Sequence, residues 1–282
     1  MAPGLDGGRA VTESQNSAHG HGHDYTTGSP HLRHAAIRAR LDDHIHEAIG
    51  EILRRQSRCD VLEVGAGHGF FTDTVLRAGG TPTVTEMSEA SFEFLKQRFD
   101  GVPDVDVVFD PDGQEAIRLG RRYDVVLLIS VIHHIPDYLG AVTTICDALL
   151  RPGGSVLTFQ DPLWYPRQSA YERAISQGAY LAWRLTQGEF RRGLATRWRR
   201  LRGAYDDTAP SDLVEYHVVR QGVDDHALVD LFDARFESVD VFRYFSTQSP
   251  IIQRFGGNSL PHNTFGLLAK RRIAVENHPK HE

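Results

Sequence analysis

The stretch Val61–Gly69, which reads VLEVGAGHG, decides the fold of this 282-residue chain. An apolar run that ends in closely spaced glycines predicts a buried strand and then a tight turn where the backbone approaches a ligand. Phe70, Phe71, Val75 and Leu76 follow at helical spacing. A strand, a glycine-rich turn and a helix form the first half of a doubly wound α/β unit, so we expect a cofactor pocket at this turn.

The spacing of the glycines separates two classes of cofactor. The G-x-G-x-x-G fingerprint of nicotinamide and flavin enzymes needs a glycine at position 70, which is Phe70 here. The chain reads G-x-G-x-G instead, with Glu63 two places before the first glycine. Together with Glu86 after the second apolar run and with Tyr123–Leu128, this pattern resembles class I S-adenosylmethionine (SAM)-dependent methyltransferases. The resemblance covers roughly residues 58–160, and Phe70 argues against a nicotinamide oxidoreductase.

The remaining pattern predicts an α/β fold of the Rossmann-like methyltransferase type. Strands are expected at 60–64, 82–86, 106–109, 123–129, 154–160, 237–244 and 263–269, and helices at 70–78, 89–99, 113–119, 138–150 and 224–233. Such alternation predicts a mostly parallel seven-stranded sheet with helices on both faces and right-handed crossovers. The last two strands are expected to form an antiparallel hairpin.

The same pattern divides the chain into six segments. We expect a disordered tail at 1–24, an N-terminal helical cap at 25–57, the SAM-binding core at 58–161, a helical lid insertion at 162–210, the C-terminal part of the core at 211–272 and a tail at 273–282. The helix of this cap should begin at Ser29, because Ser can cap a helix and Pro30 suits its first position. Its apolar stripe is expected to be Leu32, Ala36, Ile37, Leu41, Ile45 and Ile49. The insertion is rich in Arg. Its arginines could form either a solvated helix face or a phosphate-binding face.

Composition narrows the class of protein. A net charge of −6 gives no general attraction to nucleic acid, so RNA methylation is the third choice. No apolar run approaches the roughly 20 residues of a membrane span, and we expect a cytoplasmic, bacterial-type protein. Cys59 and Cys146 are too few for a disulfide framework and are expected to be packing residues. Homodimer formation is left open.

The resemblance assigns most of the cofactor contacts. The turn from Gly65 through Ala66 and Gly67 should pass under the methionine part of SAM, where Glu63 and backbone groups can meet its ammonium and carboxylate. A carboxylate at Glu86 can accept hydrogen bonds from both ribose hydroxyls. The other expected cofactor contacts are Met87 on an adenine face, Asp110 or alternatively Asp112 at the adenine amino group, Ser130 after the fourth strand, and Tyr25, Ser29 and His31 in an N-terminal segment that closes over SAM.

Two histidines follow the fourth strand directly. Ligands in open α/β sheets bind outside the carboxyl ends of the strands, so His133 and His134 are expected beside the methyl group. Methyl transfer to a hydroxyl needs the acceptor oxygen about 3 Å from the methyl carbon and a base for its proton, and histidine is suited to that role near neutral pH. We expect His134, or otherwise His133 or His217, to be this base. The alternative is a histidine that only fixes the loop.

Aromatic and polar residues after the fifth strand indicate an acceptor site. The expected substrate residues are Asp161, Trp164, Tyr165, Arg167, Tyr216 and Arg220. Flat rings beside hydrogen-bonding groups suit a saccharide. Mg²⁺ could take oxygens from Asp161 with Glu215 or Asp137, although the spacing indicates no site, and no metal ligand is assigned.

These observations favour a SAM-dependent O-methyltransferase that acts on a small polar acceptor, with a saccharide expected first. A polyketide or phenolic natural product is the alternative acceptor. A non-catalytic SAM-binding regulatory protein is the alternative of a different class.

Overall fold

Residues 28–186 and 222–274 are described in the structure, a computed structural model, and they form a seven-stranded sheet covered by helices on both faces. The strands are β1 (Asp60–Val64), β2 (Thr81–Glu86), β3 (Asp106–Phe109), β4 (Tyr123–Ile129), β5 (Leu150–Pro162), β6 (Phe236–Tyr244) and β7 (Thr264–Arg272). Their order is β3-β2-β1-β4-β5-β7-β6. Neighbours from β3 to β5 are parallel, whereas β7 is antiparallel to both β5 and β6. The predicted fold class and final hairpin are confirmed.

Nine α-helices are present in the described part of the chain. They are α1 (Pro30–Arg33), α2 (Ala35–Leu53), α3 (Thr72–Arg77), α4 (Glu89–Arg98), α5 (Glu115–Arg118), α6 (Tyr138–Thr144), α7 (Ala170–Thr186), α8 (Asp225–Asp233) and α9 (Pro250–Gly256). Two short 3₁₀ turns cover Ile132–His134 and Tyr165–Arg167, and a π turn covers Ile145–Leu149. Within these residues, no helix is long and apolar enough to cross a bilayer.

The sheet separates two apolar clusters because central strands are buried on both faces. The first cluster includes Leu62, Val126, Leu128, Val156, Phe232 and Phe265, and the second includes Ile45, Ile49, Val125, Leu127, Phe159 and Phe242. Successive residues of β4 therefore alternate between the clusters, as the period of two requires. Cys59 and Cys146 are buried in different clusters as free thiols, and burial raises the pKa of each to about 12.

The N-terminal helix differs from the single helix that was predicted. His34 is extended, with φ −101° and ψ 114°, and it separates α1 from α2. Its Nε2 lies 2.7 Å from the carbonyl oxygen of Thr247, which anchors the break to the loop after β6. The predicted stripe is otherwise buried along α2, from Ile37 to Ile49, although Ala36 is exposed.

The two largest differences in bounds lie near residue 150, and one helix was missed. The helix predicted to end at residue 150 changes to a π turn at Ile145, and β5 begins at Leu150 rather than 154. Helix α9 was not predicted, because its seven residues are too few to show a period. Ser249 caps it by accepting a hydrogen bond from the Ile252 amide.

Candidate functional site

The candidate site lies at the carboxyl edge of the parallel strands. Strands β1 and β4 are neighbours in space but lead to helices on opposite sides, so the strand order reverses between them. Ligands of open α/β sheets bind at such a switch point. The glycine turn follows β1, Glu86 ends β2, Ser130 follows β4 and Asp161 lies near the end of β5.

The glycine turn has the backbone conformation that its sequence predicts. Gly65, Gly67 and Gly69 have φ of 66°, 58° and 72°, in the left-handed region that favours glycine. The Ala66 amide donates to the Thr85 carbonyl at 3.1 Å. The turn is thereby tied to β2 and held open toward the carboxyl edge.

Glu86 links the end of β2 to this turn. Its Oε2 accepts a hydrogen bond from the Gly67 amide at 2.8 Å, and its Oε1 accepts one from the Ser88 amide at 3.0 Å. A carboxylate has about four acceptor positions, so these two bonds leave capacity for ribose hydroxyls. Met87, the next residue, is half-buried.

Glu63 lies beneath the turn rather than at its surface. Only 2% of the residue is exposed, and its Oε2 accepts a hydrogen bond from the Thr72 hydroxyl at 2.6 Å. Burial raises the pKa of Glu63 to about 7, while the Thr72 bond opposes that rise. A positively charged group at the turn would favour the ionised form.

The two aspartates after β3 have different environments. Asp110 is buried, and its Oδ1 accepts a hydrogen bond from the Glu115 amide at the start of α5. Burial raises its pKa. Asp112 is exposed and forms an ion pair with Arg118. Asp110 is therefore the better placed of the two to face an adenine ring from the sheet edge.

A buried histidine–aspartate pair lies at the ends of β4 and β5. His133 Nδ1 is 2.8 Å from Asp161 Oδ1, and the same oxygen accepts from the His133 backbone amide at 3.2 Å. Asp161 is fully buried, and burial raises its pKa above the ordinary value of an aspartate. The hydrogen bond and charge of His133 oppose this rise without cancelling it. Oδ2 of Asp161 has no hydrogen-bond partner among the described residues. The ring of His134 lies 4.1 Å from that of His133.

The chain direction changes sharply just before this pair. Ser130 has φ 59°, and its amide donates to the Phe159 carbonyl at 2.7 Å. Non-glycine residues with positive φ are uncommon and concentrate at functional sites. Ser130 is thus part of the turn that presents His133 to Asp161.

Helix α1 brings His31 to the same edge. His31 is buried and stacked on Phe71, with ring centroids 5.8 Å apart. Burial, and secondarily the charge of His133, lower its pKa to about 3, so this imidazole is neutral. Ser29 occupies the N-cap of α1, although its carbonyl rather than its hydroxyl accepts the helix amides.

Some of the residues expected to bind substrate after β5 contact each other and the start of α8. The Arg167 guanidinium lies 4.6 Å from the Trp164 ring and forms ion pairs with Asp224 at 2.6 Å and Asp225 at 3.1 Å. Trp164 and Tyr165 are partly buried. Tyr25, Tyr216, His217 and Arg220 lie outside the described residues, as does the insertion beyond residue 186. Among residues 28–186 and 222–274, no three His, Cys, Asp or Glu side chains are grouped as a metal ion requires.

The fold and the glycine turn define a class I SAM-binding α/β domain, and comparison with known proteins gives the family. A family model described as a methyltransferase domain matches residues 62–156. Over 98 residues the chain is 33% identical to a ubiquinone biosynthesis O-methyltransferase of Proteus mirabilis, covering 34% of this chain and 39% of that protein. Over 124 residues it is 31% identical to the highly reducing polyketide synthase verA of Penicillium polonicum, covering 40% of this chain and 5% of that protein.

Two solved structures share the fold. The N-methyltransferase NodS of Bradyrhizobium japonicum, in complex with S-adenosylhomocysteine (SAH), superimposes with a TM-score of 0.52 at 12% identity, covering 94% of this chain and 100% of that one. The DszA carbon methyltransferase gives 0.53 at 17% identity, covering 85% and 55%. The chain therefore carries a class I SAM-dependent methyltransferase domain. Its alignment spans about two fifths of the length of the ubiquinone relatives.

Sequence reasoning missed three members of this site. Thr72 binds Glu63, and Gln160 and Tyr244 lie beside Asp161. Thr72 follows the glycines closely, so the short polar side chain at the start of α3 could have suggested it. Gln160 gave no signal, because a bulge inside a strand leaves the apolar pattern around it unchanged.

Proposed function

We propose that this chain is a SAM-dependent O-methyltransferase in which His133 takes the proton of an acceptor hydroxyl and Asp161 holds His133 in place. The observation that carries the proposal is the 2.8 Å contact between His133 Nδ1 and buried Asp161. It lies at the same carboxyl edge of the sheet as the glycine turn. Relatives that are named O-methyltransferases support a hydroxyl acceptor.

The pair can serve proton transfer because it fixes one tautomer. With Asp161 ionised, Nδ1 of His133 carries the proton and donates it to the carboxylate, so Nε2 carries the lone pair. SAM bound at the glycine turn would supply its methyl group to the acceptor oxygen, with the electrons of the broken carbon–sulfur bond left on sulfur, and Nε2 of His133 would take the hydroxyl proton. His133 replaces His134 as the preferred base, because the Asp161 carboxylate lies 2.8 Å from its Nδ1 and can orient its ring.

Two classes of acceptor fit the rim of the site. Trp164 and Tyr165 favour a saccharide, but the Arg167 guanidinium already lies over the Trp164 ring, which weakens that argument. The names of the ubiquinone relatives favour a hydroxylated aromatic ring. Both acceptors present a hydroxyl to the same base.

The test measures methyl transfer from isotope-labelled SAM to 3,4-dihydroxybenzoate and to methyl α-D-glucopyranoside. Because positioned general-base catalysis is typically worth 10²–10⁴-fold, His133→Asn should lower turnover by about that factor. SAH affinity should remain near the wild-type value. His134→Asn is the matched control and should keep most of the activity.

Asp161→Asn gives an independent check of the tautomer. An amide can donate to Nδ1 and so stabilise the tautomer with its proton on Nε2, which cannot accept a proton from the acceptor. Turnover should fall about as far as in His133→Asn. Wild-type rates in both variants would refute the base. SAH binding without transfer to either acceptor, or to a wider hydroxyl panel, would favour the non-catalytic alternative.

A further inference from the structure

The feature that aims Asp161 at His133 is an irregularity in β5. Residues Val156, Leu157 and Thr158 pair regularly with β7, but the register shifts between Thr158 and Asp161. Thr158 pairs with Leu267 and Asp161 pairs with Phe265, so three steps along β5 correspond to two along β7. Strand β5 therefore contains one extra residue, a β-bulge.

The extra residue changes the face to which Asp161 belongs. Leu157 and Phe159 pack in the second apolar cluster, and strict alternation would place Asp161 on that same face. Residues opposite each other in an antiparallel ladder share a face, and Asp161 is opposite Phe265, which packs in the first cluster. The bulge thus moves the carboxylate off the face of Leu157 and Phe159, and in this position its Oδ1 lies 2.8 Å from His133 Nδ1.

Gln160 occupies the strained position of this bulge. Its φ is 68°, in the left-handed region where glycine is the usual residue of such bulges. The side chain is bonded at both ends. Its Oε1 accepts from the Tyr244 hydroxyl at 3.1 Å, and its Nε2 donates to Ser246 Oγ at 2.8 Å.

The geometry points to Gln160 as a positioning residue for the reaction proposed above: its left-handed backbone directs the Asp161 carboxylate to His133. The proposal rests on the proposed function only for its effect on turnover. The contact between Asp161 and His133 can be measured without any acceptor.

Two substitutions separate the backbone from the side chain. Gln160→Gly removes both side-chain hydrogen bonds but adopts positive φ readily, whereas Gln160→Val removes the same bonds and strongly disfavours positive φ. The contact is followed by the downfield NMR signal of the His133 Nδ1 proton in the SAH-bound protein. That signal is assigned by its loss in His133→Asn.

We expect Gln160→Gly to keep the His133 signal and Gln160→Val to lose it. Turnover is measured with the acceptor that the wild type methylates, either 3,4-dihydroxybenzoate or methyl α-D-glucopyranoside. In the Val variant it should fall roughly 10²-fold or more, with a changed pH profile. Loss of the signal in Gln160→Gly would overturn the proposal, since the side-chain bonds would then do the positioning. Retention in a folded Val variant would also overturn it. If Gln160→Val does not fold, Gln160→Ala replaces it, because Ala also disfavours positive φ but has a smaller side chain, and it should likewise weaken the signal.

The two proposals fail in different ways. If His133 is not the base, the NMR signal is still kept in Gln160→Gly and lost in Gln160→Val, but turnover does not change with it. If Gln160 has no positioning role, His133→Asn still lowers turnover while the signal is indifferent to position 160.

Discussion

Replacing Glu63 by Gln tests the buried carboxyl beneath the glycine turn. Burial raises its pKa from 4.5 to about 7 in the folded protein. This difference corresponds to about 3 kcal/mol, because each pKa unit is worth 1.36 kcal/mol. The folded state holds this proton more tightly than the unfolded state does. The stability from Glu63 is therefore fully present below pH 4.5 and is lost as the pH rises through about 7.

The assay is urea unfolding of the wild type and of Glu63→Gln at pH 5 and at pH 8.5. Gln keeps an acceptor for the Thr72 hydroxyl but cannot ionise, so it avoids the penalty of a buried charge. From pH 5 to pH 8.5, the free energy of unfolding of the variant should rise by about 2–3 kcal/mol relative to that of the wild type. Glu93→Gln, at an exposed position on α4, supplies the baseline at each pH.

The same substitution connects stability to cofactor binding. If the ammonium of SAH lies over the turn, it favours ionised Glu63, so wild-type affinity should rise between pH 6 and pH 8. Calorimetry on Glu63→Gln should show a weaker rise. A stability difference between the two proteins that is equal at pH 5 and pH 8.5 would refute the reasoning.

Three further changes test other parts of the site. Gly69→Ala should lower the free energy of unfolding by about 2–5 kcal/mol, because its Cβ would lie 2.6 Å from Phe99 and φ is +72°. Gly113→Ala is the control, since Gly113 has the same φ but no heavy atom within 4 Å of the added Cβ. The difference between the two variants in urea unfolding is the cost of the clash with Phe99. Glu86→Ala should weaken SAH binding by roughly 1.5–3 kcal/mol in calorimetry, and unchanged affinity in a folded variant would remove it from the site. Replacing residues 169–220 by a short Gly-Ser linker should spare SAH affinity more than turnover, and equal loss of both would argue against a separate acceptor module.

The segments on either side of residues 169–220 contact each other, so this stretch can be replaced by a linker. The Val223 amide donates to the Pro162 carbonyl at 2.9 Å, and Leu163 forms a parallel bridge with Val223. Arg167 adds ion pairs to Asp224 and Asp225. Residues 162–167 and 223–225, which flank the replaced segment, are therefore held together, so a linker has only a short distance to span.

The parallel half of the fold could be predicted because its strands are short, have apolar centres and are separated by recognisable turns. β1, β3 and β4 have the predicted bounds, and a glycine or polar residue follows each of them. The break at His34 could not be predicted. It depends on a hydrogen bond to Thr247, which is 213 residues away in the sequence.

Predictability at the candidate site divides in the same way. The positions of Glu63 and Glu86 follow from the glycine turn and the strand ends. The choice between His133 and His134 does not, because both lie in one turn and the contact of His133 with Asp161 of the neighbouring strand depends on the fold. Adjacent histidines look equivalent in a sequence, whereas a carboxylate from the neighbouring strand distinguishes them.

The most direct test of the central claim is a crystal structure of the protein with SAH. We predict that the homocysteine part lies over the turn from Gly65 to Gly69, with both ribose hydroxyls on Glu86. The sulfur should then face His133, with room for an acceptor hydroxyl between them. SAH bound away from the turn, or a sulfur that faces away from His133, would contradict the account.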